Sequence, residues 1–360
     1  MSSAPVTLSS LGLTGRGGSN PQITGIAVDS RVVKDGFLFA AMPGSKVHGA
    51  EFIQYALRMG AVAVLTDAVG AEIAADIMAE AGTTVIVTDA PREALSRTAA
   101  LWFGAQPSTM IAVTGTNGKT SVSTFVRQIW IELGLDAVNL GTTGVEGAWA
   151  APLAHTTPEP ITLHRTLGQA AANGITHAAM EASSHGLDQR RMDGVTLRAA
   201  GFTNFTQDHL DYHETFEAYF DAKMGLFTRV LSHDGTAVIN LDDPQGAKVA
   251  QIAADAGHKV IGVGRSENAD LKLIAQRFDN TGQDLRFEYD GKPYQARLPL
   301  VGGFQGENAL LAAGMVIAAG ELPNQVFDTL QDISPVRGRM ELAATRANGA
   351  SVFVDFAVGL

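Results

Sequence analysis

Residues 109–134 constrain the fold of this chain more than any other stretch, because an apolar run leads through a glycine loop into a helical pattern. Met110 to Val113 has the length and hydrophobicity of a buried strand. After Lys119, apolar residues recur at helical spacing until Gly134 supplies a stop signal. A strand, a loop ending in Gly-Lys-Thr and a helix, in that order, are the layout of a nucleotide phosphate-binding loop.

The loop has the residue types that phosphate binding needs. Its glycines let backbone N–H groups approach phosphate oxygens, and the start of the following helix adds partial positive charge. The pattern predicts that Lys119 reaches the terminal phosphates of ATP and that the Thr120 hydroxyl holds Mg²⁺. The strict G-x-x-x-x-G-K-[ST] form is not met, since Val113 stands where its first glycine belongs, so an ordinary strand-to-helix turn is the alternative. The residues predicted to bind the nucleotide here are Gly115, Thr116, Asn117, Gly118, Lys119, Thr120 and Ser121.

Composition limits the classes of partner. The net charge is −11, which argues against a broad nucleic-acid or anionic-membrane surface, although one lysine and a helix start can still bind ATP locally. The chain has no Cys, so disulfides and thiolate metal sites are excluded. No apolar run is long enough to span a bilayer, and the first residues lack the pattern of a signal peptide. We therefore expect a cytoplasmic protein.

Residues 1–103 predict a small α/β domain, because short apolar runs alternate with helix-like stretches. Two polar segments follow strands of this domain, one containing Ser30 and the other containing Ser45 and Lys46. Loops at strand ends are where α/β sheets usually bind ligands, while plain turn chemistry is the alternative that spacing alone favours. The strands are predicted at 23–28, 37–41, 61–65 and 84–87, and the helices at 51–59, 71–82 and 91–103.

Residues 104–335 predict a larger α/β domain with a mostly parallel sheet covered on both faces. Within it, 269–299 holds three alternating segments separated by turn residues, which predict an antiparallel meander added to the sheet. Residues 336–360 read as the start of a further domain. The other predicted strands are 110–114, 137–140, 175–181, 199–204, 236–240 and 259–263, and the last helices are 306–320 and 323–331.

Four residues outside the loop could bind a metal. Glu181 ends a strand and can face a metal bound at the phosphate loop, or it can simply cap the next turn. Asp208 and His209 have lone pairs to donate, although a histidine in a polar loop is more often solvated. Lys223 falls on the apolar stripe of a helix predicted at 214–231, so it must snorkel, pair with an acid or be modified to a carbamate. The residues alone favour snorkelling.

The combination of segments resembles the Mur ligase family of peptidoglycan synthesis, over essentially the whole chain. Within that family it is most similar to the ligases that add the third peptide residue to UDP-MurNAc-L-alanyl-D-glutamate. The segments that carry the resemblance are DSRVVKDGFLFAAMPG (29–44), TGTNGKT (114–120), TTPEP (156–160), MEASSHGLDQRR (180–191), NFTQDHLDYHETFEAYFDAK (204–223), GFQGEN (303–308), VRGRME (336–341) and VDFA (354–357).

The resemblance implies a role for each residue that matches the family pattern. Glu181, His209 and Thr120 would be metal ligands, Lys223 would be carbamylated and would hold a second metal, and Lys119 would serve the ATP phosphates. The adenosine part of ATP would contact Asn308 and Arg339, with Asp355 at the ribose. The residues implied for the UDP-sugar dipeptide are Ser30, Ser45, Lys46, Val47, Thr156, Thr157, Ser183, Gln189 and Arg191.

By the same resemblance the reaction is ATP- and Mg²⁺-dependent amide formation through an acyl phosphate. The incoming amino acid would be meso-diaminopimelate, with L-lysine left open, and the protein would act as a monomer. The family's third, Rossmann-like domain is expected after VDFA and is missing from this sequence. We therefore expect a fragment that binds the UDP-sugar dipeptide and turns over weakly or not at all.

Three other interpretations compete with this one. A folylpolyglutamate or cyanophycin-type synthetase would share the TGTNGKT loop, but the complete N-terminal UDP-type segment disfavours it. A catalytically dead nucleotide- or UDP-sugar-binding module is the alternative from a different class. A Ras-like GTPase is disfavoured because the sequence has no guanine-reading Asn-Lys-x-Asp motif.

Overall fold

The structure, a computed structural model, divides the described chain into two compact units. The first unit runs to Gln106 and also takes 158–169 and 189–195, and the second contains the rest. The division therefore differs from the predicted boundary at 103/104, because two later segments cluster with the first unit and Ile161 packs in its core. The described residues are 4–44, 46–206, 212–339, 341–346 and 351–355.

The first unit is built on a parallel sheet in the order β3-β4-β5-β6. The strand predicted at 23–28 is divided between β2 and β3, and the helix predicted at 71–82 is two helices that part at Ala74, where φ is −112°. The elements are β1 (Val6–Thr7), β2 (Gln22–Ile23), β3 (Gly25–Ala27), β4 (Phe37–Ala40), α1 (Ile53–Arg58), β5 (Ala61–Thr66), α2 (Ala68–Ile73), α3 (Ala75–Ala81), β6 (Thr84–Val87) and α4 (Pro91–Phe103).

The second unit is built on a ten-stranded sheet. Its elements are β7 (Thr109–Thr114), α5 (Lys119–Glu132), β8 (Ala137–Gly141), β9 (Gly144–Gly147), α6 (Pro160–Ala172), β10 (His177–Glu181), α7 (Ser184–Asp188), β11 (Leu197–Phe202), α8 (Phe216–Gly225), β12 (Leu231–Asn240), α9 (Gly246–Asp255), β13 (Lys259–Gly264), β14 (Leu271–Asp279), β15 (Gly282–Tyr289), β16 (Lys292–Leu298), α10 (Gly303–Ala319), α11 (Pro323–Asp328), β17 (Glu341–Thr345) and β18 (Ser351–Val354). Residues 160–169 of α6 belong to the first unit, and residues 170–172 belong to the second.

The strand order of this sheet is β16-β15-β14-β13-β12-β11-β7-β10-β8-β9. Neighbouring strands pair in parallel along the central part of this order, which consists of β14, β13, β12, β11, β7, β10 and β8. At the two ends of the sheet, β9, β15 and β16 pair antiparallel with their neighbours. The mostly parallel sheet and the meander are therefore as predicted. The phosphate-loop strand β7 lies between β10 and β11, so the carboxyl ends of these three strands meet at one edge.

Helix α5 shows why the sequence after the loop is helical. Val122, Phe125, Val126 and Ile129 are fully buried on the side that faces the sheet, as their spacing predicts. The helix ends at Glu132, and Gly134 then takes a φ of 80°, which lets the chain reverse direction. The helix predicted at 214–231 is shorter than expected, because α8 stops at Gly225 and Leu226–Val230 forms a π-helical turn.

Candidate active site

A cavity of about 570 Å³ opens at the carboxyl edge of the large sheet, within the second unit. Polar residues at or just past the carboxyl ends of β7, β8, β10, β11 and β12 line it, which is the arrangement expected where a parallel sheet binds a ligand. The lining residues are Thr116, Asn117, Gly118, Lys119, Thr120, Ser121, Thr142, Thr156, Glu181, Ser183, Ser184, Thr203, Asn204, Lys223, Asn240, Phe304, Glu307, Asn308, Leu311, Arg339 and Asp355.

The loop between β7 and α5 is shaped by two glycines. Gly115 has φ 142° and Gly118 has φ 86°, values that side chains rarely adopt. A Cβ at Gly115 would overlap the Thr203 hydroxyl, and one at Gly118 would lie 2.8 Å from Asn308 Oδ1. The loop is also tied to the end of β11, since the Thr203 hydroxyl donates to Asn117 O over 2.6 Å. Glycine is thus required at both positions by conformation and by space.

Two lysines donate to the same loop carbonyl. Lys119 Nζ lies 2.9 Å from Gly115 O and 2.8 Å from Thr116 O, and Lys223 Nζ lies 2.8 Å from Gly115 O. Lys223 is 1% exposed, and its ammonium stands 4.4 Å from the centre of the Tyr219 ring. The prediction that Lys223 snorkels to solvent is therefore wrong. Its side chain does not reach the surface, because α8 packs against the phosphate loop at this position.

Glu181 is buried at the end of β10 and held by three hydrogen bonds. Thr120 donates its hydroxyl to Oε1 over 3.1 Å, and the Thr142 backbone N–H donates to Oε1 over 2.9 Å. The Thr142 hydroxyl donates to Oε2 over 3.3 Å. A Cβ at Gly141 would overlap the carboxylate, so this glycine makes room for it. The carboxylate and the Thr120 hydroxyl, both hard oxygen donors, are the kind of pair that Mg²⁺ prefers.

One stripe of α10 faces the cavity. Glu307 and Asn308 lie three and four residues after Phe304, and Leu311 lies four and three residues after them, which places all four on one helical face. The Phe304 ring is half exposed, and Asn308 is buried. Burial raises the pKa of the Glu307 carboxyl, the Asp242 charge adds to that rise, and Arg265 opposes it. The stripe therefore offers an aromatic surface and polar groups to the cavity.

The structure brings most of the predicted nucleotide-site residues together. The loop residues from Thr116 to Ser121 line the cavity with Asn308, Arg339 and Asp355, although Asp355 itself is exposed. Gly115 forms the backbone beneath Lys119 and Lys223. His209, one of the predicted metal ligands, lies outside the described residues. Among the described residues, no group of three His, Asp or Glu side chains could hold a metal ion.

The residues predicted for the UDP-sugar dipeptide fall in both units. In the second unit, Thr157 donates its hydroxyl to Glu181 O over 2.8 Å and accepts from the Ser183 backbone N–H over 3.0 Å. In the first unit, the Arg191 guanidinium donates to Gln189 Oε1 over 2.7 Å. Ser30 is buried at the start of a 3₁₀ turn, and Thr156 lines the cavity. Lys46 and Val47 are exposed, and Ser45 lies outside the described residues.

Sequence reasoning missed six polar residues of the cavity: Thr142, Ser184, Thr203, Asn204, Asn240 and Glu307. Thr142, Thr203 and Asn240 each lie at or just past the end of a parallel strand. The rule that ligands gather at carboxyl ends of strands could have found these three, but only with the strand order known. Glu307 could have been found from its place one residue before Asn308 on the same helix.

In the described part of the chain, none of the helices is long and apolar enough to cross a bilayer.

Two family models match the chain. The model described as Mur ligase middle domain matches residues 113–316, and the one described as Mur ligase family, catalytic domain, matches residues 22–102. The first match spans the phosphate loop, Glu181 and Lys223, and the second lies wholly in the first unit.

Individual proteins give the same result. The UDP-N-acetylmuramoyl-L-alanyl-D-glutamate–2,6-diaminopimelate ligase of Chelativorans sp. (strain BNC1) is 43% identical over 348 residues, which cover 96% of this chain and 70% of the relative. A solved structure of a ligase with the same name has a TM-score of 0.81 at 28% identity, and the match covers 95% of this chain and 70% of that one.

A more distant structure bears on the competing interpretation. A folylpolyglutamate synthase of Mycobacterium tuberculosis complexed with ADP has a TM-score of 0.60 at 19% identity. The match covers 74% of this chain and 66% of that one. At this level of identity the likeness extends to the fold alone.

Proposed function

Because the chain belongs to the Mur ligase family, we propose that it is an ATP-dependent ligase that adds 2,6-diaminopimelate to UDP-N-acetylmuramoyl-L-alanyl-D-glutamate. One observation in the structure carries the proposal. The phosphate loop, the buried Glu181 carboxylate and the polar stripe of α10 line a single cavity at the carboxyl edge of the sheet. Such a cavity can hold a nucleoside triphosphate with its phosphates at the loop and its base at α10.

ATP is the phosphoryl donor in this proposal. The backbone N–H groups at the start of α5 would face its phosphates, and Lys119 would turn from the loop carbonyls toward the terminal phosphates. Mg²⁺ would be held by the Thr120 hydroxyl and the Glu181 carboxylate, whose donor atoms fit it, and it would neutralise phosphate charge when bound. We further propose His209 as a metal ligand and a carbamylated Lys223 that would hold a second metal, on the resemblance to the family.

The reaction has two steps, a phosphoryl transfer and an amine attack. The terminal phosphoryl group of ATP passes to the D-glutamyl side-chain carboxylate, which gives an acyl phosphate and ADP. The amine of the incoming amino acid then attacks the acyl carbon, loses a proton and expels inorganic phosphate. Lys119 stabilises the charge of the transferring phosphoryl group. The Thr157 and Ser183 hydroxyls, which lie near Glu181, orient the D-glutamyl carboxylate of the substrate. The residues that would hold the UDP part are Ser30, Ser45, Lys46 and Val47, with Gln189 and Arg191 at the dipeptide.

We also propose that the chain works as a monomer in the cytoplasm, where both nucleotide substrates are available. The acidic composition supports a small-molecule substrate rather than a nucleic acid. Light scattering of the eluted protein would give the oligomeric state directly.

The proposed function is tested by phosphate release from the purified chain. With ATP, Mg²⁺ and the UDP-sugar dipeptide, diaminopimelate should stimulate release, and L-lysine should do so weakly. Omitting any one component should abolish the signal, and Lys119→Ala should remove it as well. Thermal protection by the nucleotide and the dipeptide without any phosphate release would favour the alternative, a binding module without catalysis. Protection by neither would contradict both.

A further inference from the structure

Two glutamines of the meander bind the beginning of α10. Gln283 on β15 is completely buried, and its Nε2 donates to Leu300 O over 2.9 Å and to Gly302 O over 3.0 Å. Gln276 on β14 donates its Nε2 to Gln283 Oε1 over 2.5 Å and to Gly303 O over 2.8 Å. The two amides therefore hold three backbone carbonyls, those of Leu300, Gly302 and Gly303, through one connected set of hydrogen bonds.

This part of α10 depends on outside support. Its N-cap is Gly302, which has φ 102° and no side chain that could cap the first N–H groups. At Gly306, one turn into the helix, a Cβ would lie 2.7 Å from both Gln276 Nε2 and Gln283 Oε1. A glycine inside a helix is unfavourable relative to alanine, and here it makes room for the glutamine pair. The two glutamine amides therefore pack directly against the backbone of the first turn of α10.

The same first turns of α10 form one wall of the cavity. Phe304 follows Gly303 directly in sequence, and Glu307 and Asn308 follow Gly306. A helix moves as a rigid body over two turns, so fixing Gly302, Gly303 and Gly306 fixes the direction of the cavity stripe as well. The meander has no residue in the cavity, and this contact connects it to the site.

We propose that Gln276 and Gln283 are positioning residues for nucleotide binding, because they hold the start of α10 with Phe304, Glu307 and Asn308 directed into the cavity. The proposal rests on the proposed function, since it requires that a nucleotide bind in that cavity. It assigns a role to the meander, which the sequence shows only as an addition to the sheet.

The test compares two dissociation constants in one variant. Gln283→Met keeps the length of the side chain and removes every hydrogen bond of the amide. We expect the dissociation constant for Mg·ADP, measured by calorimetry, to rise about tenfold, while that for the UDP-sugar dipeptide stays within about twofold. Gln295→Met on β16 is the matched control, because this glutamine is exposed on the neighbouring strand and should change neither constant.

A second variant and a second measurement separate positioning from general stability. Gln276→Met removes the hydrogen bonds to Gly303 O and Gln283 Oε1 and the one accepted from Arg265. It leaves the bonds from Gln283 to Leu300 and Gly302, so it should weaken Mg·ADP binding by a smaller factor. Hydrogen exchange of the amides at 303–308 should accelerate in both variants and not in the control. A lower unfolding midpoint with unchanged Mg·ADP affinity in both variants would overturn the proposal. Failure of the unmodified chain to bind Mg·ADP is a different result, which would remove the proposed function and the positioning role together.

Discussion

The Thr120 hydroxyl donates to Glu181 Oε1 over 3.1 Å, although 61 residues separate the two in sequence. The contact joins the first turn of α5 to the end of β10, because the parallel pairing of β7 and β10 aligns Val113 with Glu181. A phosphate loop and an acid at the same level of adjacent strands can share one metal-bound nucleotide. The relationship thus follows from strand order and register rather than from either residue alone.

Replacing the acid should separate catalysis from folding. In Glu181→Gln the side chain keeps its size but loses the charge that would face Mg²⁺. We expect phosphate release to fall by a factor on the order of 10² to 10³, as when a charged transition-state partner is removed. Affinity for Mg·ADP should fall, while affinity for ADP in EDTA should not. Glu132→Gln, at the exposed end of α5, is the control and should leave all three quantities unchanged.

Thr142 should act through Glu181. In Thr142→Val the backbone N–H to Oε1 remains, but the hydroxyl that donates to Oε2 over 3.3 Å is lost. We expect the Mg²⁺ concentration for half-maximal phosphate release to rise several-fold, with a stability loss of about 1 kcal/mol. Thr142→Ser retains the hydroxyl and should behave like the unmodified chain. An unchanged Mg²⁺ requirement in the valine variant would show that the backbone contact suffices.

The fold was predictable where local patterns decide it. The run from β7 through the loop to α5 has a strand, glycines and a helical stripe in the sequence itself, and the structure has all three. The meander was predictable for the same reason, since alternation and turn residues define it locally.

The site was predictable only in part. Glu181 stood out as an acid at a strand end, but its partner Thr142 did not, because the sequence does not reveal that β8 lies next to β10. For Lys223 only the preference for snorkelling was wrong, since helical spacing places the residue on an apolar face without showing that its ammonium donates to a loop carbonyl. Such contacts depend on strand order and on the packing of distant helices.

The glycine at the end of the phosphate loop gives a matched pair of variants. Gly118 and Gly134 have φ values of 86° and 80°, so alanine should cost each about 1 kcal/mol or slightly more in unfolding free energy. At Gly118 the new Cβ would also lie 2.8 Å from Asn308 Oδ1, whereas at Gly134 it would meet no described atom within 4 Å. Only Gly118→Ala should therefore weaken Mg·ADP binding, by about tenfold in calorimetry. Equal affinities in the two variants would contradict this.

His164 is a buried titratable group in the first unit. It is 4% exposed on α6, and its Nε2 has no hydrogen-bond partner among the described residues. Burial lowers the pKa of the imidazole from 6.5 to about 4, because the charged form would lose its hydration. The unfolded chain therefore binds more protons than the folded chain between these two values. Stability from this group is complete above pH 6.5 and is lost as the pH falls toward 4.

We expect this loss to appear as a difference between the unmodified chain and His164→Leu. With folded and unfolded pKa values of about 4 and 6.5, protonation of His164 should lower the unfolding free energy of the unmodified chain by about 2 kcal/mol when the pH falls from 7.5 to 5. The leucine variant removes the titration and an imidazole nitrogen without a described partner. Its unfolding free energy should therefore be close to that of the unmodified chain at pH 7.5 and should exceed it at pH 5. Urea unfolding at the two pH values measures the effect. His155→Leu, an exposed histidine, is the control and should keep the full pH dependence.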